Sequence, residues 1–258
     1  MLASNTSYST DAPPPVADGL GYWTESRQPL ASLVFVAPVL LVYEAGVVFF
    51  GPQAVRNGAD AWLRWLLEAL GFGQYFLLPV LTVCILLGWH YTTGRPWRFP
   101  QGVFWGMLVE SVALGFCVRL ILQIQGMLLL QMSREGLPPA CDLAAQLRTA
   151  VGFLGAGIYE ELLFRLMLLS LAVLALRWIA GPRVWVLPLA IVLTSLLFSA
   201  AHYVGPHGEP LLWSQGLFWF RALFRFIAGV FFSVLFLCRG FGIAVGAHAF
   251  YDLLVGLL

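Results

Sequence analysis

The chain has 258 residues, 60% of them hydrophobic and 10% charged, with a mean hydropathy of +0.85. All 14 basic residues are Arg and the formal net charge is +1, which excludes the basic tails of nucleic-acid-binding proteins. Apolar runs of membrane-spanning length recur along the chain without the alternation of a transmembrane barrel. The expected fold class is therefore all-α: a multi-pass transmembrane helical bundle of about seven spans plus one interfacial amphipathic helix.

Residues 1–29 are polar and carry Pro13-Pro14-Pro15. They lack a basic segment leading into a short apolar core, so they read as a disordered tail and not as a secretory signal. Residues 30–142 read as accessory transmembrane and interfacial helices. The first span runs from Leu30 to Phe50 and is interrupted by Pro38 and Glu44. From Ala59 to Phe72, Asp60, Arg64 and Glu68 fall at i, i+4 and i+8 with Trp62, Leu63, Leu66, Leu67 and Leu70 around them, the pattern of a helix lying in the interface plane. Tyr75 to His90 is the second span. Gly102 to Met132 is the third, carrying Glu110, Arg119, Gln123 and Gln125, and Ser133 to Asp142 is a loop. Glu44, Glu110 and Arg119 have no motif around them, and His90 and His207 read as surface residues. Cys84, Cys117 and Cys238 lie in apolar segments and Cys141 in the loop, with no CxxC and no disulfide framework.

Residues 143–258 read as the transmembrane core. The fourth span, from about Leu147 to Trp178, contains Gly157-Ile158-Tyr159-Glu160-Glu161-Leu162-Leu163-Phe164-Arg165. Three ionisable side chains inside an apolar run are costly and point to function. On a helix Glu161 and Arg165 are i,i+4 partners, whereas Glu160 lies about 100° round and faces elsewhere. The fifth span, Val184 to Tyr203, ends in Phe198-Ser199-Ala200-Ala201-His202. A polar loop from Gly205 to Pro210 leads to the sixth, Trp213 to Cys238, with Arg221 and Arg225 at i,i+4. The seventh, Phe241 to Leu258, holds His248 and Asp252 on one face. Counted from Arg148, Glu160 lies about 18 Å along its span, and the antiparallel fifth span returns His202 to the same side. With the N-terminus inside, Arg27, Arg95, Arg98, Arg177, Arg183 and Arg239 are cytoplasmic, against Arg56, Arg64, Arg134 and Arg148 outside.

Glu-Glu-x-x-x-Arg (Glu160, Glu161, Arg165), then Phe-x-x-x-His (Phe198, His202), then His-x-x-x-Asp (His248, Asp252), on successive membrane helices, resembles the CPBP intramembrane proteases. These are the CaaX-prenyl endoproteases and the bacteriocin-processing or Abi-type immunity proteins. The resemblance covers about Val151 to Leu258. It departs from the family pattern at Leu166, where many members have Gly, and at Asp252, where the prenyl endoprotease has Asn. It implies an intramembrane endopeptidase acting on a membrane-associated protein or peptide in a lipid bilayer, in the cytoplasmic membrane if the source is bacterial. Nucleic acid is not among its partners. Glu160 would be the general base, His202 would help to hold the water, and His248 with Asp252 would stabilise the oxyanion. Glu161, Arg165 and Phe198 would support them.

Other readings stand beside this one. A buried Glu–Arg pair serves as packing glue in many proteins, and intramembrane Glu, His and Asp can form the relay of a proton-coupled transporter. A non-catalytic immunity or partner protein can share the fold. Arg221 and Arg225 can receive a substrate carboxylate or snorkel to the interface. Glu160, His202 and His248 satisfy the ligand count of a catalytic zinc site. The expectation taken forward is a glutamate-type mechanism with no cofactor, and zinc as the alternative.

Overall fold

A computed structural model of the chain describes residues 18–73, 76–129, 143–205 and 208–257. The described residues are mostly helical and form no strand. The chain is an all-α membrane bundle. Among the described residues four helices are long and apolar enough to cross a membrane: α2 (Pro29–Phe50), α6 (Gln101–Leu129), the continuous run Leu143–Ala180, and α10 (Gly216–Arg239). Three shorter apolar helices accompany them: α5 (Leu77–Thr93), α9 (Val186–Ala201) and α11 (Phe241–Leu257). Helices thus lie where the apolar runs place them, and four of those described have the length and apolarity of a span. The tail residues 1–17, the loop 133–142 with Cys141, and His207 lie outside the described residues.

The helix α11 is the hub. It packs against α6, α2, α10 and the Leu143–Ala180 run, and Phe241, Ile243, Ala244, Val245 and Ala247 are fully buried. A helix that is apolar all round belongs in the interior of a bundle. By contrast Leu171, Leu174, Trp178 and Ile179 of α8 (Ser170–Ala180) are exposed, as lipid-facing side chains are.

Three expectations are corrected. Part of the segment read as a disordered tail is a helix, α1 (Asp18–Glu25). Tyr22 donates to Glu110 Oε2 at 2.5 Å, and Arg239 bonds Glu110 Oε1 at 2.5 Å and Ser26 Oγ at 2.8 Å while its guanidinium lies 3.8 Å over the Trp23 ring. Glu110 therefore does have a role: with Arg239 it anchors α1. Second, the amphipathic helix α4 (Gly58–Ala69) turns the first two charges of its stripe inward. Asp60 and Arg64 are buried, while Glu68, Trp65 and Leu66 are exposed. The two buried charges find partners on neighbouring elements, which leaves Trp65 and Leu66 on the outer face. Third, His90 is buried, edge-on to Trp97 with ring centroids 4.6 Å apart.

Candidate active site

The run Leu143–Ala180 is not one uniform α-helix. It comprises α7 (Leu143–Glu160), a π-helical segment over Glu161–Leu169, and α8. In a π segment the bonds run i→i+5 and the turn is wider, an arrangement found mainly at functional sites. The switch falls between Glu160 and Glu161. Both carboxylates consequently reach one imidazole, that of His248. Glu161 Oε1 lies 2.7 Å from Nδ1, and Glu160 Oε2 lies 3.7 Å from Nε2. Glu160 does not face away from its neighbour's partner, as α-helical spacing predicts; the two acids hold opposite edges of the same ring.

Close approach of backbones makes this contact possible. A Cβ on Gly157 would stand 2.7 Å from the Ala249 Cβ and 2.9 Å from the Ala249 nitrogen, so only glycine lets α7 press against α11 beside His248. A Cβ on Gly155 would fall 2.1 Å from the Tyr43 ring.

Around His248 the contacts are dense. Its Nε2 also lies 3.6 Å from Asp252 Oδ2, the i,i+4 pair expected on α11. The Phe232 ring of α10 stacks on it, with centroids 4.6 Å apart and planes 11° from parallel. Arg165 pairs with Glu161 at 3.1 Å, as the spacing predicts, and places its guanidinium 4.3 Å over the Phe198 ring. Phe198 in turn stands edge-on to His202 at 4.9 Å. Phe198 thus acts as a wall between the Arg165 charge and the His202 ring.

His202 closes α9. Its Nδ1 lies 2.8 Å from the Phe198 carbonyl oxygen. A carbonyl only accepts, so Nδ1 carries a proton and Nε2 of the neutral ring presents its lone pair. That nitrogen stands 4.0 Å from Glu160 Oε2. A water bonded to two acceptors through legs of about 2.8 Å spans about 4 to 4.5 Å between them. Both groups line a cavity of about 150 Å³, whose wall also includes Gly58, Ala59 and Trp62 of α4 and Glu209. His248 and Asp252 are not part of that wall.

Residues 143–254 match the family of type II CAAX prenyl endopeptidases described as Rce1-like. The match spans less than half of the chain, and over that part the chain is similar to the Rce1-like family. No curated protein and no solved structure matches the chain. The family is one of proteases, and its match coincides with the segment that carries Glu160, His202, His248 and Asp252.

Sequence reasoning missed several neighbours of the candidate site. Phe232 and Trp62 carry no titratable group that marks them out, and Glu209 lies in a loop. Arg221 and Arg225 do not stand free toward the interface. Arg221 Nη1 lies 3.2 Å from Glu209 Oε2, and Arg225 holds both oxygens of the same carboxylate. The Glu209 backbone N–H donates to the His202 carbonyl at 2.8 Å, which ties this loop to the end of α9. Burial works against the Glu209 charge, but the hydrogen bond from Arg225 and the charges of Arg225 and Arg221 hold its carboxyl below the ordinary carboxylate value. Among the described residues no group of three or more His, Cys, Asp or Glu side chains is arranged to hold a metal ion.

Proposed function

We propose that the protein is an intramembrane endopeptidase in which Glu160 activates water for attack on a peptide bond. The observation that carries this reading is the 4.0 Å separation of Glu160 Oε2 and His202 Nε2 on the wall of one cavity. A water there donates one hydrogen bond to each. Glu160 takes a proton as the water oxygen attacks the scissile carbonyl, and the C–N bond breaks as Glu160 returns that proton to the leaving amine. His202 keeps its Nδ1 proton on the Phe198 carbonyl, which turns Nε2 toward the water and aligns the water lone pair on the carbonyl carbon.

His248 opposes the negative charge that builds in the tetrahedral intermediate. Nδ1 bonds Glu161 at 2.7 Å, and Nε2 faces Glu160 at 3.7 Å and Asp252 at 3.6 Å, so three carboxylates surround the ring and favour its positively charged form. Such a preorganised charge in a dry site acts without reorganisation during the reaction. Glu161 sets the ring orientation, Phe232 fixes its plane, and Arg165 balances the Glu161 charge.

The substrate class proposed from the family is a membrane-associated protein ending in a prenylated CaaX sequence. The test is hydrolysis of a quenched fluorogenic farnesylated CaaX peptide by the purified full-length protein, beside Glu160→Ala. Cleavage by the parent and none by the variant is the expected result. Equal cleavage by both would remove Glu160 from the mechanism. Cleavage only of unprenylated membrane peptides would correct the substrate class and keep the chemistry.

A further inference from the structure

A second cluster of ionisable groups lies almost wholly outside the residues matched to the family, and the proposed chemistry uses none of it. Glu44 stands on α2, Asp60 and Arg64 on α4, and all three are buried at 7%, 0% and 8% exposure. The Tyr159 hydroxyl donates to Glu44 Oε1 at 2.6 Å, and Arg64 Nη2 reaches the same oxygen at 3.1 Å. Arg64 Nε donates to Asp60 Oδ1 at 2.6 Å, and the Tyr43 hydroxyl to Asp60 Oδ2 at 2.7 Å. Arg56 Nε lies 3.3 Å from that second oxygen. Two carboxylates meet two guanidiniums, so the charges offset. What remains is a set of directional bonds joining α2, α4 and α7.

A buried ionic network is a weak way to gain stability, because desolvation consumes most of the attraction and apolar packing does as well. Its value is geometric, and its two ends say where. At one end Tyr159 directly precedes Glu160. At the other Asp60 sits in the first turn of α4, and that turn supplies Gly58, Ala59 and Trp62 to the cavity that Glu160 and His202 line. The Asn57 side chain caps the same turn by accepting from the Asp60 backbone N–H at 2.8 Å. Ala59 and Leu63 pack α4 into the core without fixing its orientation, and Trp65, Leu66 and Glu68 are exposed. The network adds the directional bonds that set this wall.

We propose that Glu44, Asp60, Arg64 and Tyr159 are positioning residues for the hydrolytic reaction: they fix the first turn of α4 against α7, and so complete the substrate cavity from outside the Rce1-like segment. The proposal rests on the reading of Glu160 as the catalytic base. It assigns the accessory helices a place in the active site. Loosening the network should blur the wall that receives substrate while leaving Glu160 and His202 on their own helices, so it should act on binding more than on turnover.

Tyr159→Phe is the variant of choice, because it removes one hydroxyl, keeps the ring, and leaves Glu44 paired with Arg64. Spin labels are placed at Glu68→Cys on α4 and Leu174→Cys on α8, with the native cysteines changed to Ser. Pulsed electron paramagnetic resonance on the full chain then reads the spacing of α4 from the Leu143–Ala180 run. The parent should give one narrow distance, and Tyr159→Phe should at least double its width. With one charge-coupled hydrogen bond lost, KM for the farnesylated CaaX peptide should rise about tenfold with kcat within about twofold. Arg64→Lys, which keeps the charge but loses the fork serving Glu44 and Asp60 together, should broaden the same distance. An unchanged distance and KM in both variants, even with lowered melting, would reduce the network to packing glue and overturn the proposal. Glu160→Gln should abolish turnover without moving the labels. If instead it turns over normally, the catalytic assignment fails, while the label distances still decide whether the network holds α4.

Discussion

The Glu161→Gln substitution tests whether Glu161 serves the fold or the chemistry. Its carboxylate is 0% exposed and is shared between Arg165 at 3.1 Å and His248 Nδ1 at 2.7 Å. An amide oxygen still accepts from His248, but it brings no charge to Arg165, whose side chain is 1% exposed. Stranding a buried cation costs about 3 kcal/mol, the low end for breaking such a pair, because the amide and the Phe198 ring recover part of the loss. At about 2 to 4 °C per kcal/mol for a chain of this size, the melting midpoint should fall by about 6 to 12 °C. Differential scanning fluorimetry in detergent micelles reads this directly, beside turnover at a temperature where both proteins remain folded. Arg165→Ala should fall at least as far, since it also removes the contact with Phe198 and leaves the buried Glu161 with His248 as its one charged partner. A Glu161→Gln protein that melts like the parent and has lost turnover would refute this reasoning, and would place Glu161 against substrate or water.

Glu160→Gln should keep the parent melting temperature and lose at least about 100-fold in kcat, the lower range for a general base; circular dichroism and the fluorogenic assay check the two halves. Asp252→Asn should retain most activity, because Glu161 and not Asp252 holds His248 Nδ1, and purified parent should carry no stoichiometric zinc. Elemental analysis finding about one zinc per chain, lost together with activity in the variant, would put the site on metal chemistry. For Glu209 the sign follows from its depressed carboxyl. A group whose folded value lies below its unfolded one stabilises fully above the unfolded value, about 4.3, and loses that contribution as pH falls through the lower folded value. Hydrogen exchange of residues 208–213 should therefore be flat from pH 7 to about 5 after correction for intrinsic rates and rise only below about 4, and Glu209→Gln should show the raised exchange at neutral pH.

The bundle was legible because its signal is redundant: seven apolar runs separated by turn residues survive any single misreading. The three motifs were legible for a different reason, since each is a polar interruption where water is scarce. Two kinds of information were not. The charged stripe of α4 was read correctly as a stripe, but which side it faces depends on what waits inside, and Glu44 and Tyr159 stand 16 and 99 residues from Asp60 in the sequence. Likewise the i,i+4 rule found the Glu161–Arg165 pair but assumed α geometry. No residue between Glu161 and Leu169 announces a wider turn.

That wider turn bears on how two adjacent acids reach one ring. On a regular α-helix neighbours diverge by about 100°, so a carboxylate beside the proposed base would point away from it. Here Glu160 ends α7 and Glu161 opens the π segment, and the two take opposite nitrogens of His248. One acid then fixes the proton on Nδ1, which leaves Nε2 to face the other acid and Asp252. Glu160 is left with one free direction, toward His202 and the cavity. If this geometry is the cause, moving the register of the π segment should be worse than losing either pair alone. Inserting one Ala between Leu166 and Met167 keeps every named side chain and lets the segment relax to another register. The inserted protein should fold in micelles yet lose turnover as completely as Glu160→Gln. Retained turnover would mean that the wider turn is incidental to the site.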